Sequence, residues 1–173
     1  FELYVRLLSG AVERMRAIMR GEEPPPEEDA EIAIDLPVSA HIPTAYVPDI
    51  NMRLALYQRL SAVEEPAEIP SLEQEMADRF GNPPHAVQSL LYIASIRALA
   101  RSANVESIRT DGDVATIRLN DPDAETSERL RATAPKGVQV GTAVLRLDLS
   151  EGWEERLTDV LRQLAALRSA HGT

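Results

Sequence analysis

The chain of 173 residues contains no cysteine, one lysine and few aromatic residues. The lack of cysteine excludes disulfides, thiolate catalysis and thiolate metal sites, and it fits a cytoplasmic location. Aromatic residues make up 4% of the chain, and the mean hydropathy of -0.21 is ordinary for a soluble protein. No apolar run approaches the roughly 20 residues that a membrane helix needs, so we expect no membrane contact.

The sequence also lacks the patterns of nucleotide, metal and catalytic sites. It has no glycine-rich phosphate loop, and its three histidines, His41, His85 and His171, have no metal-like spacing. We therefore expect no cofactor, no metal and no catalysis in this chain, and we expect His85 to be a surface residue. The formal net charge is -10, which gives an overall field that repels nucleic acid.

Three segments differ in composition. Residues 1–20 carry apolar side chains at helical spacing and predict an amphipathic helix that needs a partner surface. Residues 21–31 hold three consecutive prolines and six acidic residues, which predicts an extended acidic linker. Residues 32–173 contain the remaining structural patterns. Because the chain opens at Phe1 without a methionine, we expect it to be a fragment of a longer protein.

The first part of the main segment predicts one strand and a helix. Apolar and other residues alternate over 31–36, which predicts a half-buried strand. Asp49 is a suitable N-cap for a helix that runs to about Val63. Its inward residues are expected to be Ile50, Leu54, Tyr57 and Leu60.

The stretch from Ser71 to Pro84 predicts a short helix with clear end signals. Ser71 and Gln74 form a capping-box pattern, whereas Gly81 and the prolines after it end the helix. An apolar stripe faces the core, and it consists of Leu72, Met76 and Phe80. The residues off this stripe are Glu75, Asp78 and Arg79, which are expected to face solvent or a partner. Paired catalytic carboxylates among Glu73, Glu75 and Asp78 are not expected, because exposed acids are common on helices.

The remaining sequence predicts a central helix followed by a small mixed unit. Residues 84–103 are apolar around most of the helical circumference, so this helix should be central. Strands are predicted over 105–110, 114–119, 138–140 and 143–149, with a helix over 122–134 and a last helix capped by Ser150. Asp111-Gly112 is a hairpin signal, and Trp153 is expected to anchor the core. The fold class is α+β, with a helical N-terminal half packed against a β-hairpin–α–β-hairpin–α unit.

Several motifs resemble one family. Phe1-Glu-Leu-Tyr4, Tyr46-Val-Pro-Asp49 and the string from Glu75 to Gly81, with Pro84 after it, are similar to the C-terminal part of the bacterial transcription-repair coupling factor. The resemblance runs from Phe1 to about Leu99, and beyond Val105 only the order of elements fits. It implies that residues 1–20 follow the motor domain and that residues 32–173 form the C-terminal regulatory domain.

The resemblance also implies a function for the parent protein. The full-length factor is an ATP-dependent translocase on double-stranded DNA that removes stalled RNA polymerase and recruits UvrA, and its ATP and Mg sites lie in domains outside this chain. The C-terminal domain is expected to dock on the N-terminal UvrB-like module, mask the UvrA-binding surface and restrain the motor. On this view Glu75, Asp78 and Arg79 bind the module. The alternative is a contact module for nucleic acid or RNA polymerase that uses Arg97, Arg101, Arg109 and Arg118.

Overall fold

The computed structural model of the chain describes residues 19–21 and 32–171. The predicted helix over 1–20 and the predicted linker over 21–31 lie almost wholly outside the described residues. The unit from Ile32 to Thr173 is compact. Its described helices are α1 (Ile50–Ser61), α2 (Glu68–Phe80), α3 (His85–Ser102), α4 (Ala124–Thr133) and α5 (Trp153–His171). Its described strands are β1 (Ala33–Ile34), β2 (Val105–Asp111), β3 (Val114–Leu119), β4 (Val138–Val140) and β5 (Val144–Asp148).

The strands form one mixed sheet in the order β1-β2-β3-β5-β4. β1 pairs with β2 in parallel, whereas the other three pairs are antiparallel. Helices α3, α4 and α5 cover one face of this sheet, where their apolar side chains join those of the strands in one buried cluster. The α+β class is therefore confirmed, although the predicted strand over 31–36 shortens to Ala33–Ile34 and becomes an edge of the C-terminal sheet.

Helix α3 belongs to both hydrophobic cores of the domain. Its first half contributes Val87, Leu90 and Leu91 to a core shared with α1 and α2. Its second half contributes Ile96 and Leu99 to the core beneath the sheet. A helix that is apolar on nearly every side can pack in two directions at once, so the predicted central position is confirmed.

Helix α1 begins at its predicted cap but presents a different face to the core. Asp49 accepts a hydrogen bond of 3.0 Å from the Met52 backbone N–H, as the sequence predicts. Leu56 and Leu60 are the buried residues, whereas Ile50 and Leu54 are exposed. The expectation that Ile50 and Leu54 point inward is wrong, because the helix meets α3 only along the side that carries Leu56 and Leu60.

Helix α2 begins one turn earlier than predicted. It starts at Glu68, whose carboxylate accepts hydrogen bonds from the backbone N–H groups of Glu64 and Glu65 and so fixes the preceding turn. Pro70 fits in the first turn because an N–H group there has no helical partner. The predicted capping box is therefore wrong, and Ser71 lies inside the helix. The predicted end is correct, since Gly81 follows the helix with φ of 89°.

The C-terminal half agrees with its sequence patterns closely. β3 and β4 have their predicted bounds, β2 is longer by one residue, and the first hairpin turns at Gly112 with φ of 58°. Asp123 caps α4 through the backbone N–H groups of Glu125 and Thr126. Ser150 does not cap α5, because that helix begins at Trp153 and Ser150 instead accepts hydrogen bonds from Arg156.

Trp153 packs at the margin of the core rather than at its centre. Its side chain is half-buried against the cluster beneath the sheet and contacts Tyr92 edge to face, with ring centroids 6.0 Å apart. Tyr92 donates a hydrogen bond of 2.9 Å to the backbone carbonyl of Glu154. The two aromatic residues therefore join the start of α5 to α3. His85 is exposed, as predicted.

Candidate docking surface on helices α1 and α2

Helix α2 divides its side chains between the core and a shallow groove. Leu72 and Met76 are buried, with 5% and 0% of their surfaces exposed, and Phe80 is partly buried against the same core. A face beside this stripe lines an open groove of about 520 Å³, and it consists of Pro70, Ser71, Gln74, Glu75, Asp78 and Arg79. All three predicted partner-binding residues therefore lie on one surface, because they are three and four positions apart on a helix.

Glu75 bridges α2 to α1 through Arg59. The guanidinium of Arg59 donates two hydrogen bonds to the two carboxylate oxygens, at 2.7 Å and 2.9 Å. Arg79, one turn further along α2, approaches the first of these oxygens at 3.4 Å. This two-pronged geometry is the most specific contact that arginine makes with a carboxylate, and it fixes the orientation of Glu75.

The electrostatics of this cluster favour the ionised carboxylate. The hydrogen bonds from Arg59 lower the pKa of Glu75 below its usual range, and Arg79 contributes further lowering. The same carboxylate raises the pKa of Arg59. Both side chains are partly exposed, at 39% for Glu75 and 49% for Arg59. Water therefore screens the pair, and the contact orients the side chains more than it stabilises the fold.

Asp78 differs from Glu75 in its partner. Its carboxylate accepts a hydrogen bond of 2.9 Å from the amide of Gln74, and its side chain is exposed. The sequence predicts one arginine on this face, Arg79, and the structure adds a second, Arg59, beside the two acids. Of these acids, only Asp78 has no cation within ion-pair distance among the described residues.

A tyrosine fixes the C-terminal end of the same helix. Tyr46 donates from its hydroxyl to the backbone carbonyl of Gly81 at 2.8 Å, and the carbonyl of Met76 lies 3.2 Å from the same oxygen. The ring meets Phe80 edge to face at 5.8 Å. The guanidinium of Arg79 lies 5.0 Å from the Phe80 ring centroid, over its face. Tyr46 and Phe80 thus position the end of α2 that carries Asp78 and Arg79.

The residues after Tyr46 position α1 in turn. Val47 is fully buried in the core shared by α1, α2 and α3. Asp49 caps α1, and Arg53 donates to the backbone carbonyls of Val47 and Pro48 at 2.8 Å and 2.9 Å. The Tyr-Val-Pro-Asp motif therefore holds α1 beside α2, which places Arg59 opposite Glu75.

The sequence patterns assigned no role to Arg59. The missing information is the proximity of α1 to α2, because the two residues are 16 positions apart and lie on different helices. The available signal is the position of Arg59 beside Leu60, which is buried. A polar residue next to the buried stripe of one helix is well placed to reach the neighbouring helix.

The four arginines of the alternative interpretation do not form one surface. Arg109 and Arg118 lie on the open face of the sheet, where β2 and β3 are paired. Arg97 and Arg101 lie on α3, which packs against the opposite face of the same sheet. Arg97 is only half exposed, whereas Arg101 is exposed. A single flat nucleic acid contact through all four residues is therefore excluded by their positions.

Two other kinds of feature are absent from the described ranges. Among residues 19–21 and 32–171, no group of histidine, aspartate and glutamate side chains has a geometry that could hold a metal ion. In the same ranges, none of the helices combines the length and the apolar character required to span a membrane.

Comparison with known proteins identifies the family. The model of the TRCF domain family matches residues 36–130, which is more than half of the chain. A transcription-repair-coupling factor from Haemophilus influenzae is 42% identical over 110 residues, covering 62% of this chain and 9% of that protein. One from Mycobacterium bovis is 34% identical over 125 residues, covering 69% of this chain and 10% of that protein.

Two further comparisons extend over more of the chain. A transcription-repair-coupling factor from Staphylococcus epidermidis is 30% identical over 171 residues, which cover 94% of this chain and 14% of that protein. The likeness thus continues beyond Leu99, where the motifs recognised from sequence end. The crystal structure of a C-terminal domain of transcription-repair coupling factor is similar in fold, with a TM-score of 0.71 and 18% identity. The aligned region covers 81% of this chain and 95% of the chain in that crystal structure.

The chain spans about a tenth of the length of the curated relatives it matches. The matching family model covers the helical half of the described domain and extends into α4. It includes Tyr46, Asp49 and Arg59, together with the whole of α2. Family model and relatives agree, so this chain belongs to the transcription-repair-coupling factor family, of which it carries the TRCF domain.

Proposed function

We propose that this chain is the non-catalytic regulatory C-terminal domain of a transcription-repair coupling factor. In this proposal the α2 face with Glu75, Asp78 and Arg79 docks on the N-terminal UvrB-like module of the parent protein. Docking covers the surface that UvrA recognises and restrains the motor until stalled RNA polymerase is engaged. The family assignment and the exposed charged groove on α2 support this role.

The single observation that carries the proposal is the preorganised carboxylate of Glu75. Arg59 holds this side chain in one orientation at the rim of the groove, so a partner meets a fixed acceptor. Binding then loses less side-chain entropy than it would with a freely rotating glutamate. Among the described residues the partner of Asp78 is the amide of Gln74, so its carboxylate can also accept a bidentate hydrogen bond from an arginine of the module.

The mixed charge of the surface also suits a reversible contact. Arg79 and Arg59 offer hydrogen-bond donors beside the two acids, so the docking site can pair with both acidic and basic groups of its partner. Patterned charges of this kind reject partners that lack the complementary order. A change from a mostly closed to a mostly open state needs roughly 5 kcal/mol of differential binding, which a limited interface can supply and a signal can reverse.

The parent protein supplies the activities that the proposal requires. It would be an ATP-dependent translocase on double-stranded DNA, with ATP and Mg bound in domains outside this chain. The acidic, proline-rich sequence of residues 21–31 would tether the domain to the motor and raise its effective concentration at the docking site. The protein would act in the bacterial cytoplasm.

The proposal is tested by retention of the chain on the immobilised UvrB-like module. The wild-type chain should be retained, and a Glu75→Ala/Asp78→Ala variant should be released at lower salt. A Glu128→Ala/Glu155→Ala variant removes two exposed carboxylates from α4 and α5 and serves as the charge-matched control. Addition of UvrA should compete with the wild-type chain for the module.

Equal retention of the wild type and the Glu75→Ala/Asp78→Ala variant would show that the assigned surface is wrong. Equal loss of retention in the control variant would show that net charge, rather than this surface, governs the interaction. If the chain and UvrA bind the module together without competition, the masking role is wrong even where docking is observed.

A further inference from the structure

The sheet leaves one face open on the side away from the helices. Exposed and buried side chains alternate along β2, β3 and β5, and this alternation shows which side chains lie on the open face. The outward set comprises Ser107, Arg109, Asp111, Val114, Thr116, Arg118, Gln139, Val144, Arg146 and Asp148. In a chain with 28 acidic and 18 basic residues, this face carries three arginines and two aspartates. The local excess of positive charge is opposite to that of the whole chain.

The three arginines form one cluster across the central strands. Arg109 and Arg146 both lie opposite Thr116, on the strands to either side of it. Arg118 is two positions further along β3, which makes it a diagonal neighbour of both. Diagonal neighbours are about 7–8 Å apart, so the three guanidinium groups can reach a common ligand.

These arginines have no partner in the part of the chain that the structure describes. All three side chains are exposed, and none forms a hydrogen bond or an ion pair with another described residue. The outward aspartates lie one row away, where Asp111 and Asp148 flank Val114 near the hairpin turn. Exposed guanidinium groups that have no carboxylate partner within the described residues can donate charge-assisted hydrogen bonds to carboxylates of another molecule.

A groove adjoins the cluster on the side of β4. It has a volume of about 720 Å³, and it is lined by Asp111, Val114, Thr116, Gly137, Val138, Gln139, Arg146 and Asp148. The hydroxyl and the amide can donate and accept hydrogen bonds, whereas Arg146 brings charge to the same rim. The row that crosses the strands at Thr116 therefore combines cations with neutral polar groups, whereas the two carboxylates of the groove lie in the next row, towards the hairpin turn.

We propose that this open face, through Arg109, Arg118 and Arg146, binds an acidic segment of another polypeptide. A segment with several glutamate or aspartate side chains would place carboxylates on the three arginines and backbone amides on Thr116 and Gln139. This surface is distinct from the α2 groove, so the two proposals stand or fall separately.

Nucleic acid is a poorer occupant of the same surface. None of the outward side chains on the described strands is aromatic, so the face offers no platform on which bases stack. Three arginines neutralise about three phosphates, which supplies little of the electrostatic term that drives binding to a phosphate chain. The net charge of -10 repels a long polyanion more strongly than a short acidic segment.

The test measures binding of the chain to a fluorescein-labelled peptide of alternating glutamate and serine by anisotropy at low salt. We expect binding that weakens as salt is added. An Arg109→Gln/Arg118→Gln/Arg146→Gln variant should bind about tenfold more weakly, since three partly exposed ion pairs are lost. An Arg101→Gln/Arg129→Gln/Arg162→Gln variant removes three exposed arginines from the helices and should bind like the wild type.

A second measurement separates loss of binding from loss of folding. The urea midpoint of the sheet variant should stay close to that of the wild type, because the three exposed side chains make no hydrogen bond or ion pair with another described residue. Absence of peptide binding, or equal binding by the sheet variant and the wild type, would overturn the proposal. Tighter binding of a double-stranded or single-stranded DNA oligonucleotide than of the peptide would also overturn it and would favour a nucleic acid contact.

Discussion

Arg59 and Glu75 join two helices through a bidentate contact, with nitrogen–oxygen distances of 2.7 Å and 2.9 Å. Neither residue is buried, yet both side chains have a fixed orientation. Each of the two terminal guanidinium nitrogens donates to a different carboxylate oxygen. The pair sets the geometry of the face that we propose for docking, so its chemistry can be examined without the partner.

The first prediction concerns the ionisation of Glu75. Replacement of Arg59 by alanine should raise the pKa of Glu75 towards its usual range, because the largest cause of its lowering is then lost. Arg79→Ala should raise it less, since that contact is longer at 3.4 Å. Titration of the carboxyl carbon by NMR measures both values, and a larger effect of Arg79→Ala would contradict the assignment.

The sign of the pH dependence follows from the same contact. Glu75 has a lower pKa in the folded chain than in the unfolded chain, so its contribution to stability is present above the unfolded value and disappears as the pH falls through the folded value. The wild type should therefore lose slightly more stability than Arg59→Ala on acidification through this window. Urea midpoints at a series of pH values would show the difference, and parallel curves would refute it.

The second prediction concerns the hydroxyl of Tyr46. Tyr46→Phe keeps the ring contact with Phe80 but removes the donor to Gly81 and Met76, which should lower the free energy of unfolding by about 1 kcal/mol. Tyr46→Leu should cost more because the aromatic contact is also lost. Urea unfolding measures both changes, and equal stability of Tyr46→Phe and the wild type would mean that the hydrogen bond has no net effect.

The third prediction concerns the cap of α1. Asp49→Ala should destabilise the chain by about 1 kcal/mol, because the Met52 backbone N–H loses its acceptor. Asp49→Ser retains an oxygen at the same position and should recover most of that stability. Thermal unfolding followed by circular dichroism compares the two, and a serine variant as unstable as the alanine variant would contradict the capping role.

The fourth prediction concerns the end of α2. Gly81 has φ of 89° and ψ of -178°, a conformation that glycine alone adopts readily. No atom lies within 4 Å of the position that a Cβ would occupy, so backbone strain is the only expected cost of Gly81→Ala. We expect a loss of about 1–3 kcal/mol in unfolding free energy. The neighbouring Asn82→Ala, at an exposed position, is the control and should have little effect.

Local sequence patterns determined most element positions in the described domain. Three examples are the apolar circumference of α3, the alternation in β2 and β3, and the glycine after α2. Each depends only on residues that are close together in the sequence. The end signals of the helices are also local, because Asp49 caps the helix that begins at the next residue and Gly81 directly follows α2. The contact of Tyr46 with Gly81 is not local, since it joins residues 35 positions apart.

Tertiary structure alone decided the features that depend on which elements meet. Ile50 and Leu54 have helical spacing but stay exposed, because the side of α1 that packs into the core carries Leu56 and Leu60. Ser71 has a capping sequence, but α2 begins before it. The carboxylate of Glu68 accepts hydrogen bonds from the preceding turn, and Pro70 can occupy the first turn of a helix. The partner of β1 is 74 residues away, since Ala33 pairs with Ser107, and no local pattern encodes that choice.

The two surfaces considered for binding show the same division. The sequence by itself determined that Glu75, Asp78 and Arg79 share a helical face, since spacing on one helix fixes this. Only the tertiary structure brought Arg59 to Glu75, and only strand register brought Arg109, Arg118 and Arg146 together. Contacts within one helix or strand follow from its residue spacing. Contacts between elements follow from the packing of the core, which depends on residues from many parts of the sequence.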